Sequence, residues 1–171
     1  IPFIEKSHKA DKPFFINLWI HEPHTPFHVD PKLQKRFAEL GEKDAIYAAT
    51  LFHADLRIGQ LLDALDRLNL AKDTLVIFSS DNGPARGAPD APLTLGYDSA
   101  TGLGYGIAAA KGITGGRKGY KAALFEGGVG VPFIARWPGK IAAGKVDKTS
   151  IFSAVDLLPT FCEIAGVKLP A

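Results

Sequence analysis

The sequence predicts an α/β domain with a mostly parallel sheet flanked by helices, and three observations carry that expectation. FFINLWI (14–20) is an apolar, β-rich run interrupted only by Asn17, the pattern of a strand covered on both faces. TLVIFSS (74–80) is a second run of the same character. Between them lies DAIYAATLFHADLRIGQLLDALDRLNL, in which Leu51, Ile58, Leu61, Leu65 and Leu68 fall near helical spacing and form one apolar stripe. Strand, long helix, strand is the order of a parallel crossover unit.

The elements follow in order. The chain opens IPFIEKSHKADKPFF, as though within a helix, and Pro13 leads into the first strand. HEPHTPFHVDP then carries prolines at 23, 26 and 31, which disfavour a helix and favour a loop. A short helix is expected over residues 32–40. The long helix follows, with Asp55, Arg57, Asp63, Asp66 and Arg67 on its remaining faces, and Asn69 with Lys72-Asp73 punctuates the entry to the second strand. Residues 83–120 are rich in glycine and proline and too long for a plain connector, so they are expected to be a functional loop. PFIARW is a further short strand, followed by a turn at Pro138-Gly139-Lys140. SIFSAVDLLPTFCEIAG reads as a helix with Pro159 in its first turns and Gly166 as C-cap.

Composition narrows the classes. The 171 residues are 46% hydrophobic and 22% charged, enough for one domain with a core. Twenty basic against eighteen acidic residues leave +2, which gives no electrostatic case for nucleic acid or an acidic membrane. The single cysteine, Cys162, excludes an internal disulfide framework and a cysteine-built zinc site. No apolar run reaches the length of a membrane span. The absence of methionine, the helix-like opening and the stop at GVKLPA lead us to expect a piece of a longer polypeptide.

Three segments carry candidate chemistry. Asp81-Asn82-Gly83 stands where a sheet strand would end, the place where ligands bind in open α/β sheets. A carboxylate and an amide oxygen are ligand types that Ca²⁺ or Mg²⁺ prefers. The same residues also make an ordinary Asn-Gly turn. His21 and His24 lie in WIHEPHTP, held between prolines. An imidazole there can donate to an anionic oxygen, bind a metal or move a proton, or simply sit in a surface loop. GGRKGYKAALFEGG sets Arg117, Lys118 and Lys121 among small residues, where an ammonium suits an anionic ester and equally suits solvent. Together the three describe a site for a negatively charged oxyester with a divalent cation. None of Ser79, Ser80, Thr25 or Thr114 sits in a nucleophile-elbow pattern.

With these motifs in order, the sequence resembles the sulfatase family of the alkaline-phosphatase-like superfamily. PFFINLWIHEPHTPF resembles the family's strand and PHTP loop. YAATLFHADLRIGQLLDALDRLNLAKDTLVIFSSDNGP resembles its long helix, strand and metal-binding DNG turn. KAALFEGGVGVPFIARWPGKI resembles its K-x-x-x-[YWF]-E-G-G segment, and SAVDLLPTFCEIAGV its D-x-x-P-T helix. The resemblance implies an alkaline-phosphatase-like sandwich, incomplete over residues 1–171, with the loop at about 83–120 bordering the active site. It implies Asp81 and Asn82 as metal ligands, with Ca²⁺ the cation and Mg²⁺ the second choice. His24 and Lys121 become the catalytic, sulfate-contacting pair, with Lys118 as the fallback lysine and His21 as a supporting substrate contact. The implied partners are a sulfated small molecule or saccharide and the remainder of the catalytic domain. The implied compartment is periplasmic, secreted or lysosomal-like.

Departures from the family pattern shape the functional expectation. The C/S-x-P-x-R motif, whose Cys or Ser becomes formylglycine, does not occur in this sequence and is expected in a missing N-terminal segment. The family's N-terminal acidic pair is likewise absent, and Gly130 stands where many relatives carry arginine. Cys162, in PTFCEIAG, reads as core packing. The expectation is a sulfuric ester hydrolase whose present chain holds half a site and is inactive alone. A phosphatase or phosphodiesterase of the same superfamily, or a non-catalytic binding domain, are the alternatives. Asn82, where phosphatases often place histidine, favours sulfate.

Overall fold

The computed structural model describes residues 1–98 and 102–170, which divide into two compact units, Ile1–Ile141 and Ala142–Ala171. In the first unit, α1 (Pro2–Lys9) starts with proline at its first helical position, where the missing amide is no loss. α2 (Pro31–Arg36) is capped by Asp30, whose Oδ1 accepts from the Lys32 amide at 2.8 Å, and a 3₁₀ turn at Ala38–Leu40 follows. The predicted short helix is thus split in two.

α3 (Glu42–Arg67) is the long helix the periodicity predicts, and its buried face joins Leu65 of the leucine stripe to a set of small residues. Leu51 is 42% exposed, whereas Ala45, Ile46, Ala49, Thr50 and Ala54 are buried. Small side chains let the 3₁₀ turn Ile107–Ala109 pack directly on the helix, and Phe27, Ile46, Ala109 and Ala110 form the central apolar cluster. Val29, Tyr47, Leu93 and Tyr105 pack around it. Thr50 donates its hydroxyl to the Ile46 carbonyl at 2.8 Å, so its polar group is satisfied inside the core.

The α/β class stands, while the pairing among the described residues is antiparallel instead of parallel. β1 (Val76–Ser79) pairs with β4 (Phe133–Arg136), Val76 opposite Arg136 and Ser79 opposite Phe133. The cause is local. β1 ends at the DNG turn, and the short helix α4 (Glu126–Val129) meets that turn through a Gly83 amide to Gly128 carbonyl bond of 2.8 Å. β4 therefore leaves from the end at which β1 stops and must run back along it. The Ser79 hydroxyl adds a bond to the Pro132 carbonyl at 2.9 Å.

Two further expectations are corrected. Residues 14–20 form no strand, and Phe15, Leu18 and Trp19 stand at 69%, 58% and 87% exposure. An apolar run becomes a strand only with a hydrogen-bonding neighbour, and no other described segment lies in ladder with it. The glycine-rich stretch 83–120 is not all loop, for β2 (Leu95–Asp98) and β3 (Gly102–Tyr105) form a second antiparallel pair. Tyr105 also exchanges both backbone bonds with Phe27, at 2.8 and 3.0 Å. Gly104 permits this approach, since a Cβ there would lie 2.7 Å from the Phe27 carbonyl oxygen.

In the second unit, Asp147 accepts from the amides and hydroxyls of Thr149 and Ser150, which hold its carboxyl far below the ordinary aspartate range. Ser153 and Asp156 form a capping box ahead of α5 (Leu157–Ala165). Pro159 lies in the first turn of α5, and Gly166 ends it at φ 66°, as the sequence predicts. Cys162 is buried and unbridged. No helix of the described residues is long and apolar enough to cross a membrane.

Candidate active site

The DNG turn and the lysine segment are stitched together by backbone. Besides the Gly83–Gly128 bond, the Lys121 amide donates to the Pro84 carbonyl at 2.9 Å, and the Gly127 amide donates to the Lys118 carbonyl at 2.7 Å. The glycines are demanded by closeness. A Cβ on Gly83 would strike the Gly127 carbonyl oxygen, and one on Gly127 would strike that of Gly119. The turn at Asp81 and the loop bearing Lys121 are therefore one interlocked backbone structure.

Its side chains divide by occupation. Asp81 is exposed and takes no hydrogen bond or ion pair among the described residues. Asn82 donates through Nδ2 to the Gly83 carbonyl at 2.9 Å, which leaves its Oδ1 unclaimed as an acceptor. Two unclaimed oxygen groups side by side suit a hard cation in kind. They fall short in number, because calcium takes about 6–8 oxygens and the described residues hold no cluster of three His, Cys, Asp or Glu that could form a site. Lys118 places its ammonium 4.0 Å from the Phe125 ring centroid, a cation–π contact that occupies it. Lys121 is exposed, and its ammonium makes no such contact.

The histidine loop is a tight turn in which the His24 amide donates to the His21 carbonyl at 2.8 Å; the Glu22–Pro23 and Thr25–Pro26 bonds are cis. His24 Nδ1 lies 2.6 Å from the Thr25 carbonyl oxygen. A carbonyl can only accept, so Nδ1 carries the proton and the exposed Nε2 is an acceptor in the neutral ring and a donor in the imidazolium. His21 Nε2 lies 3.2 Å from the Pro26 carbonyl and braces the loop across its width. The rings of His24 and His28 stand 5.8 and 5.9 Å from that of His21.

The loop and the DNG turn flank the same core. Tyr47 is edge-on to Phe27 at 5.8 Å, and its hydroxyl and Pro84 both border Gly112, where a Cβ would lie 3.4 Å from the Tyr47 oxygen. Burial raises the Tyr47 phenol above its ordinary value. No hydrogen bond or ion pair among the described residues joins His24 to Asp81 or Lys121 directly.

Sequence reasoning passed over Glu22 and His53. His53 Nδ1 lies 3.0 Å from Glu22 Oε1, tying the histidine loop to α3, and Arg57 Nε donates to His53 Nε2 at 3.2 Å. Burial pushes the Glu22 carboxyl up, but its own backbone amide, the His53 hydrogen bond and the fields of His53 and His21 outweigh that and hold it below its usual range. No local pattern announces a pair separated by thirty-one positions in the chain.

The DNG turn thus offers two oxygen groups beside the interlocked lysine loop, and the histidine loop offers an imidazole oriented by Thr25. The chain belongs to the sulfatase family, whose model, described as "Sulfatase", matches residues 1–167. It is 32% identical over its full length to a sulfatase of Formosa agariphila (strain DSM 15362 / KCTC 12365 / LMG 23005 / KMM 3901 / M-2Alg 35-1), spanning 29% of that protein. It is 32% identical to human arylsulfatase A over 96% of the chain, spanning 27% of that protein. Among solved structures it resembles Ps i-CgsB in complex with k-i-k-neocarrahexaose, with a TM-score of 0.78 and 29% identity, over 99% of this chain and 33% of that one. The chain thus spans about a third or less of these relatives' lengths.

Proposed function

We propose that the protein carrying this chain hydrolyses a sulfate monoester, and that residues 1–171 supply its cation and anion contacts without its nucleophile. The observation that carries the reading is the interlock of the DNG turn with the Lys121 loop, which ties two unclaimed oxygen groups to the loop of a lysine whose side chain has no partner among the described residues. Asp81 and Asn82 would hold the cation, with Ca²⁺ as our assignment because both groups are hard oxygens. A bound cation would supply charge neutralisation at the sulfuryl oxygens. Lys121 would add its positive charge to the same oxygens, an electrostatic contribution that grows as the ester bond breaks.

His24 has a narrower role than its sequence suggests. With Nδ1 committed to Thr25, its Nε2 can donate to a sulfate oxygen or to the leaving oxygen only as the imidazolium. His21 acts through the loop it braces. Lys118, on Phe125, shapes the Lys121 loop instead of touching the ester. Formylglycine does not fit this chain, since the motif is absent and Cys162 is buried on α5; no step through it is assigned to these residues. The neocarrahexaose held by the similar structure supports a sulfated saccharide as the substrate class. A periplasmic, secreted or lysosomal-like setting is our proposal for the protein carrying this chain.

The test is hydrolysis of aryl sulfate against aryl phosphate by the protein carrying this chain, with calcium supplied. Preferential sulfate release that falls on the order of 10²–10³-fold in Lys121→Ala, with a comparable loss in Asp81→Ala, supports the assignment. Faster turnover of the phosphate ester, or full activity in either variant, defeats it.

A further inference from the structure

We propose that Glu22, His53 and Arg57 form a hydrogen-bonded relay that positions His24 from the long helix α3. The inference rests on the role given to His24 above, and it assigns no contact with the ester to any of the three. Its starting point is the direction of the bonds. Arg57 Nε–H can only donate, and it lies 3.2 Å from His53 Nε2. His53 Nε2 must therefore present its lone pair, and in the neutral ring the only proton is on Nδ1. That proton faces Glu22 Oε1 at 3.0 Å. The guanidinium thereby selects the tautomer that donates to the carboxylate.

The consequence reaches His24 through two peptide units. Glu22 lies inside the turn closed by the His24 amide and the His21 carbonyl, at 2.8 Å. Anchoring Glu22 fixes one flank of that turn, and the His21 bond to Pro26 at 3.2 Å fixes the other. The His24 ring is exposed, and among the described residues its one hydrogen bond is to the adjacent Thr25 carbonyl, so its placement depends on the turn. The neighbours of His53 are accounted for. Glu22 faces Nδ1, Arg57 faces Nε2, and His28 and Asp30 share with His53, Arg57 and Gln60 a cleft of about 250 Å³. Arg57 is steadied in turn by Gln60 Oε1 at 3.1 Å from its Nη1.

The experiment uses the full 171-residue chain labelled with ¹⁵N-histidine, in which long-range proton–nitrogen spectra report each ring's tautomer. His53 is expected as the neutral Nδ1–H form. Arg57→Leu keeps bulk and removes the donor, and is expected to move His53 to the Nε2–H form. Glu22→Ala is expected to displace the His24 signals, and Glu22→Gln, whose amide oxygen still accepts from Nδ1–H, to restore them. Circular dichroism screens each variant for folding. If Glu22→Ala fails to fold, Arg57→Leu and the wild-type tautomer still decide. An Nε2–H tautomer for wild-type His53, or unmoved His24 signals in folded Glu22→Ala, overturns the relay. In the sulfatase assay Glu22→Ala should lower kcat on the order of tens-fold with KM little changed, and Glu22→Gln should recover most of it. Absence of sulfatase turnover in the longer wild-type protein that carries this chain would defeat the proposed function while the spectra still read the relay. An active wild type with an equally active Glu22→Ala would defeat the relay alone.

Discussion

Replacing Gly83 by alanine puts a methyl group against three backbone atoms of the Gly127–Gly128 segment. It would strike the Gly127 carbonyl oxygen and lie 2.9 Å from the Gly127 carbonyl carbon and 3.1 Å from the Gly128 Cα. None of these atoms belongs to a side chain that can rotate away, so the turn and α4 must separate. Separation lengthens the Gly83 to Gly128 bond, now 2.8 Å. Over-packing costs about 1–3 kcal/mol, and the lost bond between buried groups adds about 1 kcal/mol. Urea unfolding of the chain should therefore show Gly83→Ala destabilised by about 2–4 kcal/mol. Gly59→Ala is the control, because a Cβ there meets nothing within 4 Å. In the interior of α3 it should stabilise by about 0.5–1 kcal/mol. Equal midpoints for Gly83→Ala and the wild type would refute the interlock, and with it the argument that Asp81 and Lys121 are held together.

Further outcomes follow from individual side chains. Lys118→Ala should leave sulfate-ester turnover within a few-fold of wild type and cost about 0.5–1 kcal/mol of stability through the lost Phe125 contact; a loss of turnover as deep as that of Lys121→Ala would reverse the lysine assignment. Calorimetric titration of the chain with calcium should give weak binding that Asp81→Ala removes, and an unchanged isotherm would take Asp81 out of the site. Tyr47 is raised by burial, so the folded state resists its ionisation. Its contribution is complete below the ordinary phenol value of about 10 and is lost as pH rises through the higher folded value. Tyr47→Phe should flatten the alkaline limb of a stability–pH curve, and an identical limb would show that the phenol does not titrate against the fold.

Much of this was legible in the sequence, for reasons that differ by element. The long helix declares itself by spacing, and the end of α5 by a glycine that can take φ 66°. The DNG turn and the E-G-G segment are readable as motifs, yet only the coordinates explain them as two backbones pressed together. The buried face of α3 was partly legible, for Leu65 is buried as the stripe predicts, while the alanines carry a weak periodic signal although they are what a close helix contact needs. The hairpin of β2 and β3 hid among glycines, which have low strand preference. Strand pairing at 14–20 was not decidable from its own residues, since a ladder requires a partner. The Glu22–His53–Arg57 relay was invisible because it joins a loop to a helix across the chain.

The exposed run at 14–20 has a practical consequence. Its indole at Trp19 is 87% exposed, while Trp137 donates its indole nitrogen to the Lys72 carbonyl at 2.8 Å. An exposed apolar run of this kind offers its side chains to any passing chain. Preparations of the chain should therefore self-associate more as concentration rises. Trp19 emission, shifting blue as it leaves water, would register the event before turbidity does.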